Sequence, residues 1–309
     1  VQYVGTEGTI SDIVIDPTSH YLFASNTTRN RVEVFNLGTY ELESPIGVGI
    51  KPYGLDLTPN GTALYVANSG DSNISVVDVG QRKELRKIIV PPQDGHPDTP
   101  FSIAITNKGR ALFTTTQFCC TGYGGRMMAL NLATDALTHR AEFYINNSID
   151  TQTFLEVSGD RNKVGIIFTG EGPGSVFMYF AEDDTFSDRN RIDEFLNFLG
   201  LNASGSTMMV GTWDRTYIFD GSLATKGTMP ASGQGGVAPA PSGSVGYRVA
   251  GSKLEVLDLS SFQVTRTLAL GDSATTYYTY PNAISRLVVS PDGKIVVATT
   301  DHGFSVLRP

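Results

Sequence analysis

"YGLDLTPNGTALYVANSGDSNISVVDVGQRKELRKIIV", residues 53–90, reads as four short strands separated by turns. Gly54–Leu57 and Ala63–Ala67 flank a Pro-Asn-Gly turn, and Ile74–Asp78 and Arg86–Val90 follow across two polar connections. β-Branched and aromatic residues alternate within the runs, and Pro, Asn, Asp and Gly supply the turn chemistry between them.

The same grammar returns in residues 12–49, 101–143, 154–187, 197–229, 235–271 and 284–309. The first turn of each unit falls near Ser19, Gly61, Gly109, Arg161, Gly205, Gly243 and Gly293, a mean period of roughly 46 residues, in the range of four-stranded propeller blades. The last unit stops after three strands. The opening "VQYVG" matches the join before the second unit, so Gln2–Gly5 is expected to be the missing fourth strand. The sequence therefore predicts an all-β, seven-bladed propeller, closed by the N-terminal strand and spanning residues 1–309 as one domain. Closure removes the free edges that an open array would expose.

Composition agrees. Glycine is abundant (33 residues) and charged residues are sparse (17%), a profile of short strands and tight turns. The net charge of −8 argues against a nucleic-acid surface, and no apolar run is long enough for a membrane span. Five N-x-S/T sequons, at Asn26, Asn60, Asn73, Asn146 and Asn202, permit secretion without requiring it.

The stretches "PYGLDLTPNGTALYVANSGDSNISVVDV" and "SRLVVSPDGKIVVATT" resemble the YVTN-type seven-bladed propellers, with the signature tetrad standing here as Tyr65-Val66-Ala67-Asn68. The resemblance is strongest in residues 40–95 and 284–309 and weakest in 150–230. It implies a secreted, periplasmic or cell-surface monomer. It marks a fold and leaves function to the site.

In a propeller, loops joining strands two and three share one end of the channel with the connections between blades. The other two kinds of turn share the opposite end. By analogy with propellers in general, the first end is expected to carry the ligand. His96 and His302 fall there, and His20 and His139 fall on the far face.

"TQFCCTGYGGRM", residues 117–128, also falls at that mouth and holds both cysteines. Neighbouring side chains on a strand point to opposite faces, whereas a glycine-rich loop tolerates the distorted backbone of a vicinal disulfide. The position favours a Cys119–Cys120 disulfide, with reduced thiols as the alternative. A C-x-x-C redox motif and the spaced ligands of a metal site are both missing, so no metal and no cofactor are expected.

The expected function is binding of a small molecule or glycan at the mouth, without catalysis. Cys119, Cys120, Tyr123, His96, Trp213, Arg215, Glu171 and Tyr278 are the candidate contacts, an aromatic-rich set with a few charges. A protein partner at the same mouth, an interaction scaffold, is one alternative. Another is a propeller enzyme, either lactonase-like, using Glu171, Asp214 and His96, or quinoprotein-like. The PQQ-dependent alcohol dehydrogenases also stack a vicinal disulfide in a propeller. They have eight blades and a tryptophan docking repeat, against seven blades and the single Trp213 here.

Overall fold

The computed structural model describes residues 1–93, 95–116, 124–143, 149, 153–168, 174–212, 214–230, 234–274 and 285–309. They form seven antiparallel sheets, and each sheet is one blade. The first strands, which line the axis, are Ile10–Ile15, Pro52–Leu57, Thr99–Ile105, Thr153–Val157, Phe198–Leu201, Gln234–Pro239 and Leu287–Val289. Each touches the first strand of the next blade, and the last touches the first, so the sheets close into a ring. Gln2–Gly5 pairs with Gly303–Leu307, from Gln2 opposite Val306 to Gly5 opposite Gly303. The expected closure is thus present.

The repeat is written most clearly in the first turn. Ser19, Gly61, Gly109, Arg161, Gly205, Gly243 and Gly293 all have φ between 59° and 77°, the left-handed region. Glycine enters that region without steric penalty, which explains its use at five of the seven turns. In five of the turns a side-chain acceptor stands three residues earlier. The carboxylate of Asp16, the hydroxyls of Thr58, Ser158 and Ser290 and the amide oxygen of Asn202 each accept the N–H two residues past the turn. This local bond competes with continued sheet pairing and fixes the reversal.

Apolar cores lie between neighbouring blades. Phe23, Val32, Val34 and Ile46 of blade one, for example, pack on Leu55, Leu57, Leu64, Val66 and Val77 of blade two. Outer strands are polar and exposed, as in Lys83–Ile89, which blunts their edges. The tetrad's Asn68 is buried and structural. Its amide donates to Asn73 and Ser75 at 2.8 and 2.9 Å, and Asn26 does the same for Glu33 and the Glu7 carbonyl in blade one. Asn26, Asn73 and Asn202 are buried, so three of the five sequons serve packing rather than display, while Asn60 is exposed.

The repeat is faint near residue 185 for a physical reason. The outer strand of blade four is split into Thr185–Phe186 and Asn190–Ile192, which pair with opposite ends of Gly174–Phe180. Ser187 bridges the break: its N–H donates to the Met178 carbonyl, and its hydroxyl accepts the Met178 N–H.

Candidate functional site

Most of the mouth residues singled out in the sequence lie outside the described residues: Cys119, Cys120, Tyr123, Glu171, Trp213 and Tyr278. His96 and Arg215 are described. His96 is exposed in the connection before blade three, where its backbone bridges Gln93. Arg215, in blade five, is ion-paired with Glu194 (3.1 Å) and Asp214 (3.2 Å). The Tyr217 hydroxyl donates to Glu194 at 2.7 Å, and burial followed by that carboxylate pushes the phenol up to about 12. No hydrogen bond or ion pair joins His96 to Arg215 among the described residues. Arg126, in the cysteine segment, is also committed. It is buried against Asp98, with Nε 2.6 Å from Oδ2, and it donates to the Pro91 carbonyl. It anchors the inter-blade connection and is not free for a ligand.

The charged residues of the axis are a set that the mouth-centred reading did not include. The residue five positions before each turn lies on the innermost strand of its blade: Val14, Asp56, Ala104, Glu156, Gly200, Ala238 and Val288 in ring order. Five are small or aliphatic and two are acids. Two positions earlier come Asp12 in blade one and Arg286 in blade seven. With Arg161 they form a cluster of three carboxylates and two guanidiniums drawn from blades one, two, four and seven.

Two of the acids are saturated. Asp56 takes both Arg161 guanidinium arms at 2.9 and 3.0 Å and accepts the N–H groups of Ile105 and Leu57 at 2.6 and 2.7 Å. Arg161 reaches it from a left-handed backbone, which is unfavourable for any residue other than glycine, and donates a further bond to the Ile105 carbonyl. Asp12 accepts the N–H groups of Leu55 (3.1 Å) and Ile13 (3.0 Å) and lies 3.2 Å from Arg286 Nε. Burial raises the Asp12 carboxyl above the usual range, and the Arg286 charge opposes that rise. Both aspartates occupy N–H groups of innermost strands that have no strand partner on the channel side.

Glu156 is different. No hydrogen bond reaches its carboxyl from any described residue. Its nearest cation is Arg286, with Nη1 4.0 Å away, a charge contact too long for a hydrogen bond. Burial, and then the Asp12 and Asp56 carboxylates against the pull of Arg286 and Arg161, push its carboxyl up to about 8. Arg286 is itself under-bonded. It is 6% exposed, its Nε has no aligned acceptor, and it lies over the Phe154 ring at 5.1 Å. Phe154 is 5.1 Å from Phe101, which stacks on Tyr53 at 4.3 Å. These buried aromatics lie beside the charged cluster.

Asp12, Asp56, Glu156 and Arg161 line a cavity of about 530 Å³ whose walls include Val14, Pro17, Pro59, Val157, Pro239 and Val288. The cavity opens among the first turns, near Pro17, Pro59, Asp160, Ala203, Pro241 and Pro291. Part of its rim is tied by backbone bonds between neighbouring turns, Asn107 N–H to the Arg161 carbonyl, Asp160 to Ala203 and Ala203 to Pro241. Among the described residues no three His, Cys, Asp or Glu side chains are placed to hold a metal ion, and no helix is long and apolar enough to cross a membrane.

Comparison with known proteins supports the architecture. A family model described as "Lactonase, 7-bladed beta-propeller" matches residues 3–117, the closing strand and the first blades. Among solved structures, Kuenenia stuttgartiensis hydrazine synthase superposes with a TM-score of 0.74 and 17% identity, over 100% of this chain and 98% of that one. That likeness is one of fold. No curated protein matches. The chain is a seven-bladed β-propeller, similar in its first third to lactonase-type propellers and in overall fold to the hydrazine synthase chain.

Proposed function

We propose that this chain is a ligand-binding propeller and that the axial cavity at the turn end is its small-molecule site. Glu156 carries the reading: a carboxyl on the axis, lining a cavity of about 530 Å³, with no hydrogen-bond partner among the described residues. A polar group deep in a protein without a partner is costly, and stability gives no reason to keep it. A thermal-shift screen of small polar molecules on the wild type and on Val288→Phe tests this. Val288 holds the position equivalent to Glu156, and a phenylalanine there takes up part of the cavity a ligand would occupy. Ligands that raise the melting temperature of the wild type alone support the site. Ligands that stabilise both proteins equally remove the cavity from the function.

A lactone-hydrolysing activity is the second reading. The family match over residues 3–117 favours it, and a carboxyl near neutral pKa is suited to exchange a proton with water. Acid release from γ- and δ-lactones, followed at constant pH, should fall about a hundredfold or more in Glu156→Gln. Equal rates in the two proteins discard the reading.

The YVTN-type resemblance is consistent with binding rather than chemistry. The cysteine surface is a separate proposal for the opposite mouth: Cys119 and Cys120 joined as a vicinal disulfide, flanked by Tyr123, Glu171, Trp213 and Tyr278. Thiol titration of the denatured protein decides the bond. The proposal requires no free thiol before reduction and both afterwards.

A further inference from the structure

The charges facing the axial cavity are unequal. Asp12, Asp56, Glu156 and Asp160 line it, against the single guanidinium of Arg161, which Asp56 holds through two hydrogen bonds. Arg286 stands behind this lining and answers Asp12 at 3.2 Å. Two acids have no cation within hydrogen-bonding distance, Arg286 being 4.0 Å from Glu156. Asp160, exposed at the rim, accepts bonds from the Ser158 hydroxyl and from Asn162, and these outweigh burial and hold its carboxyl below the usual range. Glu156 lies deep on the axis, and the 31% of its side chain that remains accessible opens into the cavity.

A polar side chain at the centre of a fold without a partner calls for an explanation. The fold treats Asp56, at the equivalent position in blade two, in the opposite way and surrounds it with four donors. What Glu156 lacks is a cation close enough to hydrogen-bond, since Arg286 stops at 4.0 Å. The cavity walls beside it, Val14, Pro17, Pro59, Val157 and Val288, are apolar.

We propose that the cavity binds a small organic cation, a primary ammonium carried on an apolar body, with the ammonium against Glu156 and the body among the proline and valine walls. This rests on the cavity being the ligand site. The charged groups around Glu156 are Arg286 of blade seven, Asp12 of blade one, Asp56 of blade two and Arg161 of its own blade. Burial, helped by Asp12 and Asp56 and opposed by Arg286 and Arg161, holds the carboxyl protonated at neutral pH. The cation binds the ionised carboxylate, so one proton leaves to solvent for each ligand bound. The sign follows: affinity rises with pH up to about 8 and levels off above it.

Isothermal titration with benzylamine, benzyl alcohol and benzoate, three probes of similar shape and different charge, tests the proposal. Benzylamine is expected to bind at least about tenfold tighter than either of the others, since only it supplies the missing charge. Its Kd should fall about tenfold from pH 6 to pH 7. Titrations in two buffers of different ionisation heat should count close to one proton released per ligand. That count is read on the wild type and needs no variant to fold. Glu156→Gln should lose both the affinity and the proton release, and Val288→Phe should exclude the probe.

Benzoate or benzyl alcohol binding as tightly as benzylamine, and excluded by Val288→Phe, would overturn the cation claim while leaving the cavity as the site. An unchanged affinity and proton count in Glu156→Gln would overturn it as well. If none of the three probes binds, this inference falls, and the wider screen against Val288→Phe decides the site separately.

Discussion

Asp56 and Glu156 occupy the same position in blades two and four, five residues before the turn, and the protein treats them in opposite ways. Asp56 has both arms of Arg161 and two backbone N–H groups. Glu156 has a single guanidinium at 4.0 Å. The carboxylates differ by one methylene, and both face the channel. The contrast separates two uses of a buried acid: one ties neighbouring blades together, and the other is left available. A buried charge with its partners in place is structural, whereas one without them is held at a cost that folding alone does not repay.

The largest expected effect breaks the blade-two side. Arg161→Gly removes the guanidinium and leaves Asp56 with only its N–H donors. Uncoupling a buried pair costs about 3–5 kcal/mol. Relieving the left-handed strain at residue 161 returns about 1 kcal/mol, so a net loss of about 2–4 kcal/mol is expected in urea unfolding at neutral pH. A loss below about 1 kcal/mol would mean that the two N–H bonds suffice and that the guanidinium is there for the ligand.

Arg286→Met comes next and acts on both sides at once. Asp12 loses its cation but keeps two N–H bonds, and a loss of about 2 kcal/mol is expected. Because the Arg286 charge pulls the Glu156 pKa down, its removal should move the Glu156 titration above its present value of about 8. Carbon-13 NMR of the Glu156 carboxyl reads that midpoint directly. A midpoint that stays put or falls would show that Arg286 does not act on Glu156.

Glu156→Gln has a smaller effect, and its sign depends on pH. The folded pKa lies above the ordinary value of 4.5, so the folded state holds a proton that the unfolded state has released between those limits. Stability from this group is fully present below about pH 4.5 and is lost as pH rises through about 8. Glutamine carries no such proton. The variant should match the wild type near pH 4 and melt a few degrees higher near pH 9, with water in the cavity reducing the gain. A lower melting temperature at pH 9 would place Glu156 with Asp56 among the structural acids.

Much of the architecture was legible in the sequence because it repeats locally. Turn residues such as Gly61 and Gly293 declare themselves within a few positions, and Gln2–Gly5 completes blade seven by matching a join already seen. The axial cluster was not legible in the same way. Arg161 meets Asp56 across 105 residues and an intervening blade, and Asp12 meets Arg286 across the ring closure. No local rule encodes such contacts. A signal did exist within the repeat alignment. Acids at positions 56 and 156, where other blades have valine, alanine or glycine, and an arginine at a turn that prefers glycine, are departures from an otherwise regular pattern. The cysteine pair stands out by composition alone, which says nothing of the axial cluster.

Ser19→Gly is the smallest effect and the control for the largest. Of the seven first-turn residues, all left-handed, Ser19 and Arg161 are the two that are not glycine, with φ of 59° each. The Ser19 N–H bonds the Asp16 carbonyl, an interaction that glycine keeps. Substitution relieves the local strain, while the added freedom of glycine in the unfolded chain takes some of the gain back, leaving between zero and about 1 kcal/mol of stabilisation. The same substitution in the same turn is therefore expected to be neutral or helpful in blade one and damaging in blade four. Backbone geometry is shared, so the difference between the two urea midpoints isolates what the Arg161 side chain does for Asp56. Equal shifts at the two sites would mean that the Asp56–Arg161 bridge contributes nothing, and that Asp56 and Glu156 are alike after all.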